Sequence, residues 1–443
     1  MNISLTNGNI YKGLVYFAAP ILLGNLFQQF YSLVDTLIVG KFLGSNALAA
    51  VSSSGSLSFL LIGFFQGVGV GGGVLISRFY GSKDHYNLEK AVHVTVAFGL
   101  IVSVLLTVVG VIITPFILQL MNTPASVMPE SVEYFKVLFY GSFGIIMYNT
   151  LVGVIQAVGD SKRPLYYLVI ASIINVVLDL LFIAVFKMGV GSAALATAIS
   201  QIISSLLCFV QLIRTKEAYR LNIKRIRIEK DMLIRIVELG LPAGVQNSII
   251  SFANTIVQSN INSFGELAMA GCGAYSKIEG FAFLPISSIS LALTTFIGQN
   301  LGAGNLDRIK KGCHFGLILS MVVGQMIGIV LFINPEYFIR IFDTDKTVIY
   351  YGVLRIQASS LFFFVLSYSQ CISAILRGAG RTKLAMYVSL ICWCVIRISI
   401  LNIAMPIYNN IAVVNYVYPI TWTLSSICFY LIYRKVDFSK ELL

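Results

Sequence analysis

The chain has 443 residues, of which 57% are hydrophobic and only 11% are charged. A soluble domain carries about 25% charged residues, so a chain this apolar is excluded from that class and must expose much of its surface to lipid. Basic residues in loops on one side of a membrane explain the formal net charge of +12, which makes a nucleic-acid partner unnecessary.

Continuous apolar runs of about 20 residues or more, taken in chain order, are typical of transmembrane helices. The first run follows Lys12 and is too long for a cleavable signal peptide. The strands of a membrane barrel would instead alternate apolar and polar residues over about ten positions, so these continuous runs do not predict a barrel. The runs predict twelve spans, at 14–40, 46–76, 91–115, 132–157, 164–186, 190–213, 236–262, 267–298, 312–334, 350–377, 383–405 and 410–433.

The basic residues divide unequally between the two sides of these spans. Successive spans place the loops between them on alternate sides of the membrane. With this assignment, 23 of the 31 lysines and arginines fall on one side and four on the other. Because basic loops are retained in the cytoplasm, both termini are predicted to be cytoplasmic. Eight of the 23 lie in residues 214–235, which we interpret as a basic cytoplasmic linker between an amino-terminal lobe, residues 1–213, and a carboxy-terminal lobe, residues 236–443.

An internal repeat supports this division into two halves. Three loop patches match at an offset of 221 residues: Gly44 with Gly265, residues 80–84 with 301–305, and residues 159–162 with 380–383. Pro20 and Pro242 match at an offset of 222. An even number of spans in each half predicts parallel repeats. The predicted fold is therefore an all-α membrane protein with twelve transmembrane helices in two six-helix pseudo-symmetric lobes around a central cavity.

Ionisable groups within spans are costly to bury and are therefore candidates for function. Asp35 lies in the first run and Asp179 in the fifth, where Asn175 precedes Asp179 by one helical turn; Thr197 lies in the sixth run. Their oxygens suit a hard cation such as Na⁺. Alternatively, two close carboxylates would share one proton, because both cannot carry a charge side by side. A purely structural role, in hydrogen bonds between helices, is the competing interpretation.

Three weaker features leave alternatives open. Glu279 either pairs across the cavity or pairs locally with Lys277, and Arg397 is either a counter-ion or a residue that contacts a helix or extends to the membrane surface. The glycine run 67–73 lacks the Gly-Lys-Ser/Thr of a phosphate loop, which favours close helix packing. Pro20 and Pro242 are either hinges or harmless first-turn prolines.

Several stretches together resemble the multidrug and toxic compound extrusion (MATE) family. They include Val34-Asp35-Thr-Leu-Ile-Val-Gly40, Asn175-Val-Val-Leu-Asp179, Gly240-Leu-Pro242-Ala-Gly and Thr295-Phe-Ile-Gly-Gln299-Asn-Leu-Gly-Ala-Gly304. The resemblance is to the DinF-like branch. It implies cation-coupled antiport, with a cation site at Asp35, Asn175, Asp179 and Thr197. It also implies a substrate cavity lined by residues of the first and fourth spans, namely Pro20, Gln28, Tyr31 and Asn149.

The chain departs from the family pattern in its carboxyl half. NorM-like members carry a further carboxylate pair in the seventh and tenth spans. Here the seventh run offers the amides Gln246, Asn247, Asn254 and Gln258, and the tenth offers Gln357 and Gln370. The resemblance therefore concentrates the predicted coupling on the amino half.

The predicted function is secondary active export of amphipathic, cationic organic compounds against Na⁺ or H⁺ by alternating access. The expected setting is the lipid bilayer of a bacterial plasma membrane, with the protein as a monomer and no cofactor beyond the coupling ion. The alternative is a flippase for lipid-linked saccharide precursors, which would need more arginine and lysine in its spans for an anionic pyrophosphate. The chain contains no catalytic or cofactor motif that predicts an enzyme.

Overall fold

The structure, a computed structural model, describes residues 5–44, 47, 63–64, 67, 69–120 and 128–441. These residues form helices and connecting loops, without a strand. Helix α2 is described over residues 69–82. The other helices are α1 (Ile10–Leu43), α3 (His85–Leu120), α4 (Met128–Ala157), α5 (Lys162–Asp179), α6 (Gly191–Arg214), α7 (Lys230–Asn262), α8 (Glu266–Gly302), α9 (Leu306–Ile333), α10 (Pro335–Arg340), α11 (Lys346–Ser359), α12 (Phe363–Gly378), α13 (Thr382–Ser389), α14 (Arg397–Tyr408) and α15 (Ile411–Tyr433).

Ten membrane-length helices in the described part of the chain coincide with predicted spans. The tenth predicted span is α11 and α12, joined by a 3₁₀ turn, and the eleventh is α13 and α14, joined by a π-helical segment. Helix α7 has 33 residues but is not among the ten, because amide and hydroxyl side chains lower its hydropathy. The second predicted span, 46–76, lies mostly outside the described residues.

The internal repeat is present in the backbone as well as in the sequence. Gly44 and Gly265, which match at the offset of 221 residues, have φ angles of 86° and 92°. Gly159 and Gly380, another matched pair, have φ angles of 90° and 79°. Glycine favours this left-handed conformation because it lacks a Cβ atom. The same loop geometry therefore ends corresponding helices in the two halves.

The described chain forms two compact units. One runs from Ala19 to Gly244, and the other combines residues 5–18 with the chain from Val245 onward. Two helices, α1 and α7, pass from one unit into the other without interruption. Pro20 and Pro242 lie within two residues of these crossings and well inside their helices. The first-turn interpretation of these prolines is therefore wrong.

The glycine run packs directly against α7, as the sequence predicts. A Cβ atom added to Gly67 would lie 2.4 Å from the Gly244 backbone, and one added to Gly71 would lie 2.2 Å from the carbonyl oxygen of Ile236. Such distances are far below van der Waals contact, so only glycine permits this approach. The contact holds the first turns of α7 in the same unit as α2.

The basic linker is anchored on the first turns of α3. His93 accepts a hydrogen bond at Nε2 from the Asn222 backbone N–H at 2.9 Å. Glu229 forms an ion pair with Lys90 at 3.1 Å. Hydrogen bonds from Lys90 and Arg227 hold the pKa of the Glu229 carboxyl below its usual value. The linker therefore follows the surface of its own unit before α7 begins.

Candidate functional site

Helix α1 carries a polar face in its second half. Gln28, Tyr31 and Asp35 are spaced by three and four residues, so their side chains lie on one side of the helix. Gln28 is exposed, whereas Tyr31 and Asp35 are partly buried. Burial thus increases from Gln28 to Tyr31 and Asp35 along a short polar row in an otherwise apolar helix.

Helices α5 and α6 supply the facing polar groups. Asn175 and Asp179 are one turn apart on α5, and both side chains are 0% exposed. Thr197 and Gln201 are one turn apart on α6. Asp179 is the last residue of α5 before a π-helical segment, Leu180–Val185. Single π-helical turns are frequent at functional sites, because the wider turn redirects neighbouring side chains.

The three helices are linked by side-chain contacts. Asn175 Nδ2 donates to Thr197 Oγ1 at 3.3 Å, which joins α5 to α6. Gln201 Nε2 donates to Tyr31 Oη at 3.4 Å, which joins α6 to α1. The side chain of Gln28 also hydrogen-bonds Tyr31. One amide side chain, that of Gln201, therefore links the polar row of α1 to α6.

The two carboxyl groups predicted to act together lie next to each other. Asp35 and Asp179 are within hydrogen-bonding reach, and the Tyr31 hydroxyl is close to both. None of the ion pairs among the described residues involves either aspartate. Two neighbouring carboxylates without a basic partner cannot both stay charged at low cost in a buried site. Such an arrangement favours a shared proton or another cation between the two carboxylates.

Several buried oxygens of this group have no hydrogen-bond donor within the described part of the chain. They are Asp35 Oδ1, Asn175 Oδ1, Gln201 Oε1 and both carboxylate oxygens of Asp179. Buried acceptors without donors are unusual, since burial removes their hydrogen bonds to water. Oxygen-only groups of this kind fit a hard cation, which prefers carboxylate, carbonyl and hydroxyl ligands. Together with Thr197 and Tyr31, these residues are called the carboxylate cluster below.

The other two predicted cavity residues are Pro20 and Asn149. Pro20 is buried and precedes Asp35 by about four helical turns, roughly 22 Å along α1. Asn149 on α4 is partly exposed, and its Nδ2 donates to the carbonyl oxygen of Ile145 at 2.8 Å. Sequence reasoning missed Gln201, although its position one turn after Thr197 indicates that it shares the same helix face.

The structure decides part of what the sequence left open about Glu279 and Arg397. Arg397 is 1% exposed and donates to Thr421 Oγ1 at 3.0 Å, so it contacts a neighbouring helix and does not extend to the membrane surface. Glu279 accepts a hydrogen bond from Tyr275 Oη at 3.0 Å. The described ion pairs do not include one between Glu279 and Lys277.

Comparison with known proteins identifies the family of this chain. The MatE family model matches twice, over residues 20–181 and 242–403, and together the two matches cover most of the chain. The chain belongs to the MatE family. The second match begins and ends 222 residues after the first, which agrees with the internal repeat. A MatE chain of this kind is a transport protein with membrane-spanning helices, not an enzyme.

Individual MatE relatives extend over nearly the whole chain. The probable multidrug resistance protein YoeA of Bacillus subtilis is 31% identical over 84% of this chain and 82% of its own. The probable multidrug resistance protein YpnP of the same species is 29% identical over 88% of each chain. A crystal structure of MATE in complex with MaL6 has a TM-score of 0.92, with 22% identity and 99% coverage of both chains.

Proposed function

We propose that this protein exports amphipathic organic compounds and couples their export to the entry of Na⁺ or H⁺. The observation that carries the proposal is the buried pair Asp35 and Asp179, which has no basic partner among the described residues. A permanent structural role would leave charge or unsatisfied oxygens buried at a cost of several kcal/mol for each ion. A cation that enters and leaves during each cycle explains why both aspartates are kept.

The names of the relatives agree with export as the direction of transport. YoeA and YpnP are described as probable multidrug resistance proteins. By this likeness, the cargo is a drug-like small molecule. We further propose that the protein acts as a monomer in a bacterial plasma membrane, with both termini in the cytoplasm, as the distribution of basic residues predicts.

The proposed mechanism couples the charge of the aspartates to the shape of α1. Without a bound cation, Asp35 and Asp179 repel each other across the contact between α1 and α5. A cation from outside neutralises them and lets the two helices approach. Pro20 leaves the carbonyl oxygen of Tyr16 without its usual helical donor, so α1 bends most easily there. A cation drives this change only as far as its affinities for the two states differ.

The predicted cavity residues have distinct roles in this mechanism. Gln28 is exposed and Asn149 is partly exposed, which suits contact with cargo. Tyr31 lies between the exposed Gln28 and the two aspartates, so it relays the charge state of the aspartates to the residues that contact cargo. Pro20 is buried and contributes through the bend of α1.

The proposal is tested with purified protein in vesicles that contain a fluorescent organic cation. Transport is measured under a sodium gradient at equal pH on both sides, and separately under a pH gradient without sodium. Wild-type protein is expected to move the dye against at least one of these gradients. Asp35→Asn is expected to slow this movement at least about tenfold, because a 1.4 kcal/mol loss of coupling already has that effect.

The control is Asp231→Asn, the same chemical change at an exposed position in the first turn of α7. It is expected to transport at the wild-type rate. The proposed coupling is rejected if the rate of wild-type transport depends on neither the sodium gradient nor the pH gradient. It is also rejected if Asp35→Asn transports at the wild-type rate.

A further inference from the structure

Two arginines are buried in membrane-spanning helices of the carboxyl half. Arg355 in α11 is 4% exposed, and Arg397 at the start of α14 is 1% exposed. At about 1.5 Å per residue, Arg355 lies about 14 Å from the start of α11 at Lys346, close to half the thickness of a bilayer core of about 30 Å. A guanidinium group cannot lose its charge at this depth. Each arginine therefore needs local compensation.

Aromatic rings provide part of this compensation. The guanidinium carbons of Arg355 and Arg397 lie 4.9 and 4.3 Å from the centre of the same Tyr418 ring. Arg355 is also 5.2 Å from the centre of the Tyr275 ring. Since both cations are within 5 Å of one ring, they are at most about 10 Å apart. Cation–π contacts stabilise the two charges, but they do not neutralise them.

Glu279 is the only carboxylate that lies near both arginines in the described part of the chain. It hydrogen-bonds Tyr275, and among the described residues it forms no ion pair within 4.0 Å with either arginine. Arg355 Nη1 has no acceptor among the described residues. The group therefore keeps one uncompensated positive charge and one unused guanidinium donor.

The edge of the group is accessible. Tyr418 and Glu279 are partly exposed, and Asn254 is exposed. Asn254 Oδ1 accepts hydrogen bonds from Arg397 Nη1 at 3.2 Å and from Tyr418 Oη at 3.4 Å. Arg397 directly follows the π-helical segment Leu390–Ile396, just as Asp179 directly precedes the other π-helical segment. The buried charges are therefore bordered by accessible polar groups.

We propose that Arg355 and Arg397, with Tyr275, Tyr418 and Glu279, form a site that binds a carboxylate group of the cargo. This inference rests on the proposed export function and narrows its substrate class to amphipathic compounds that include carboxylate-bearing ones. One carboxylate matches the single uncompensated charge, and the guanidinium group is suited to carboxylate geometry. A phosphate monoester carries about −1.5 to −2 charges at pH 7, and a pyrophosphate carries more. The site therefore disfavours the lipid-linked saccharides of a flippase.

The test uses two fluorescent probes, a rhodamine with a free carboxyl group and the methyl ester of the same dye. The two dyes share the same cationic ring system, and the ester lacks the negative charge of the carboxylate. Binding of each to purified protein in detergent is measured by fluorescence polarisation. Arg355→Gln is expected to weaken binding of the free acid at least tenfold and to leave binding of the ester within twofold. Arg397→Gln is expected to act in the same direction.

Two further variants complete the comparison. Arg340→Gln removes the same charge at an exposed position of the same unit and is expected to change neither dye. Arg355→Lys keeps the charge and is expected to recover part of the binding of the free acid. Arg397→Gln replaces Arg355→Gln in the comparison if that variant does not fold. Binding of the ester reports that each variant is folded.

The outcomes separate this site from the export proposal. If the folded arginine variants bind the free acid as the wild type does, or weaken both dyes equally, the carboxylate site is rejected. If the wild type exports neither dye from vesicles but binds the free acid through Arg355, the export proposal fails and the carboxylate site stands.

Discussion

At the scale of single residues, the amino half places two aspartates next to each other, without a basic partner among the described residues. Asp179 is 0% exposed, and neither of its carboxylate oxygens has a donor among the described residues. Asp35 reaches it from a helix 144 residues earlier in the chain. Such a pair is costly in the absence of a cation, and functional sites often keep groups that reduce stability.

Asp179→Asn is predicted to abolish export and to stabilise the protein. The amide has the same shape but removes one buried charge, and its Nδ2 can donate to Asp35. We expect an apparent melting temperature about 2–4 °C higher, measured by thermal unfolding of the purified protein without sodium. Asp231→Asn, at an exposed position, should change neither property. A lower melting temperature in Asp179→Asn would show that the carboxylate holds the fold together.

At the scale of helices, the two interior prolines mark where α1 and α7 pass from one compact unit to the other. Each proline removes one hydrogen bond of its helix, between residue 20 or 242 and the carbonyl four residues earlier. The crossings follow Ala18 and Gly244. A helix that is weakest where it changes unit can alter its direction without disturbing the packing of either unit.

Pro20→Ala is predicted to slow export and to leave dye binding unchanged. Proline in a helix interior costs about 3 kcal/mol, and alanine restores the missing hydrogen bond. The straight form of α1 then becomes more stable than the bent form, so export should fall at least tenfold. Dye binding by polarisation and efflux from vesicles are compared in the same preparation.

The matched control is Pro164→Ala. Pro164 is also buried, but it lies in the first turn of α5, where a missing N–H removes no helical hydrogen bond. This variant should export at the wild-type rate. Equal export by Pro20→Ala and the wild type would show that α1 does not need to bend at this residue.

At the scale of the whole chain, the arrangement of basic residues predicts the orientation in the membrane. A green fluorescent protein fused to the carboxyl terminus should fluoresce, because both termini are expected in the cytoplasm. Alkaline phosphatase fused after Phe342, in the loop between α10 and α11, should be active outside. The same enzyme fused after Gly380 should be inactive. The reverse pattern of activities would overturn the predicted orientation.

The agreement between the sequence-based predictions and the structure differs from one element to the next. The described membrane-length helices agree with the predicted runs to within several residues. An apolar run of about 20 residues can satisfy its backbone hydrogen bonds in a bilayer only as a helix, so hydropathy alone predicts it. The short helix α10 was not predicted, since six residues carry too little periodicity. In the carboxylate cluster, the shared face of Asn175 and Asp179 follows from their spacing. Spacing within one helix does not predict the contact of Asp35 with Asp179 or the contact of Gln201 with Tyr31, because each of these contacts joins two different helices.

From the amino-acid sequence alone it follows that the chain spans a membrane, repeats an internal half and buries acidic and basic groups in its helices. These properties depend on composition and local spacing, which act over a few helical turns. Which buried groups meet depends on the packing of the helices. Among the described residues, this packing brings Asp35 next to Asp179 without a basic partner, and it gathers Arg355 and Arg397 around Tyr418 with one carboxylate nearby. Helix packing brings together residues far apart in the chain, and periodicity within one helix contains no information about that packing.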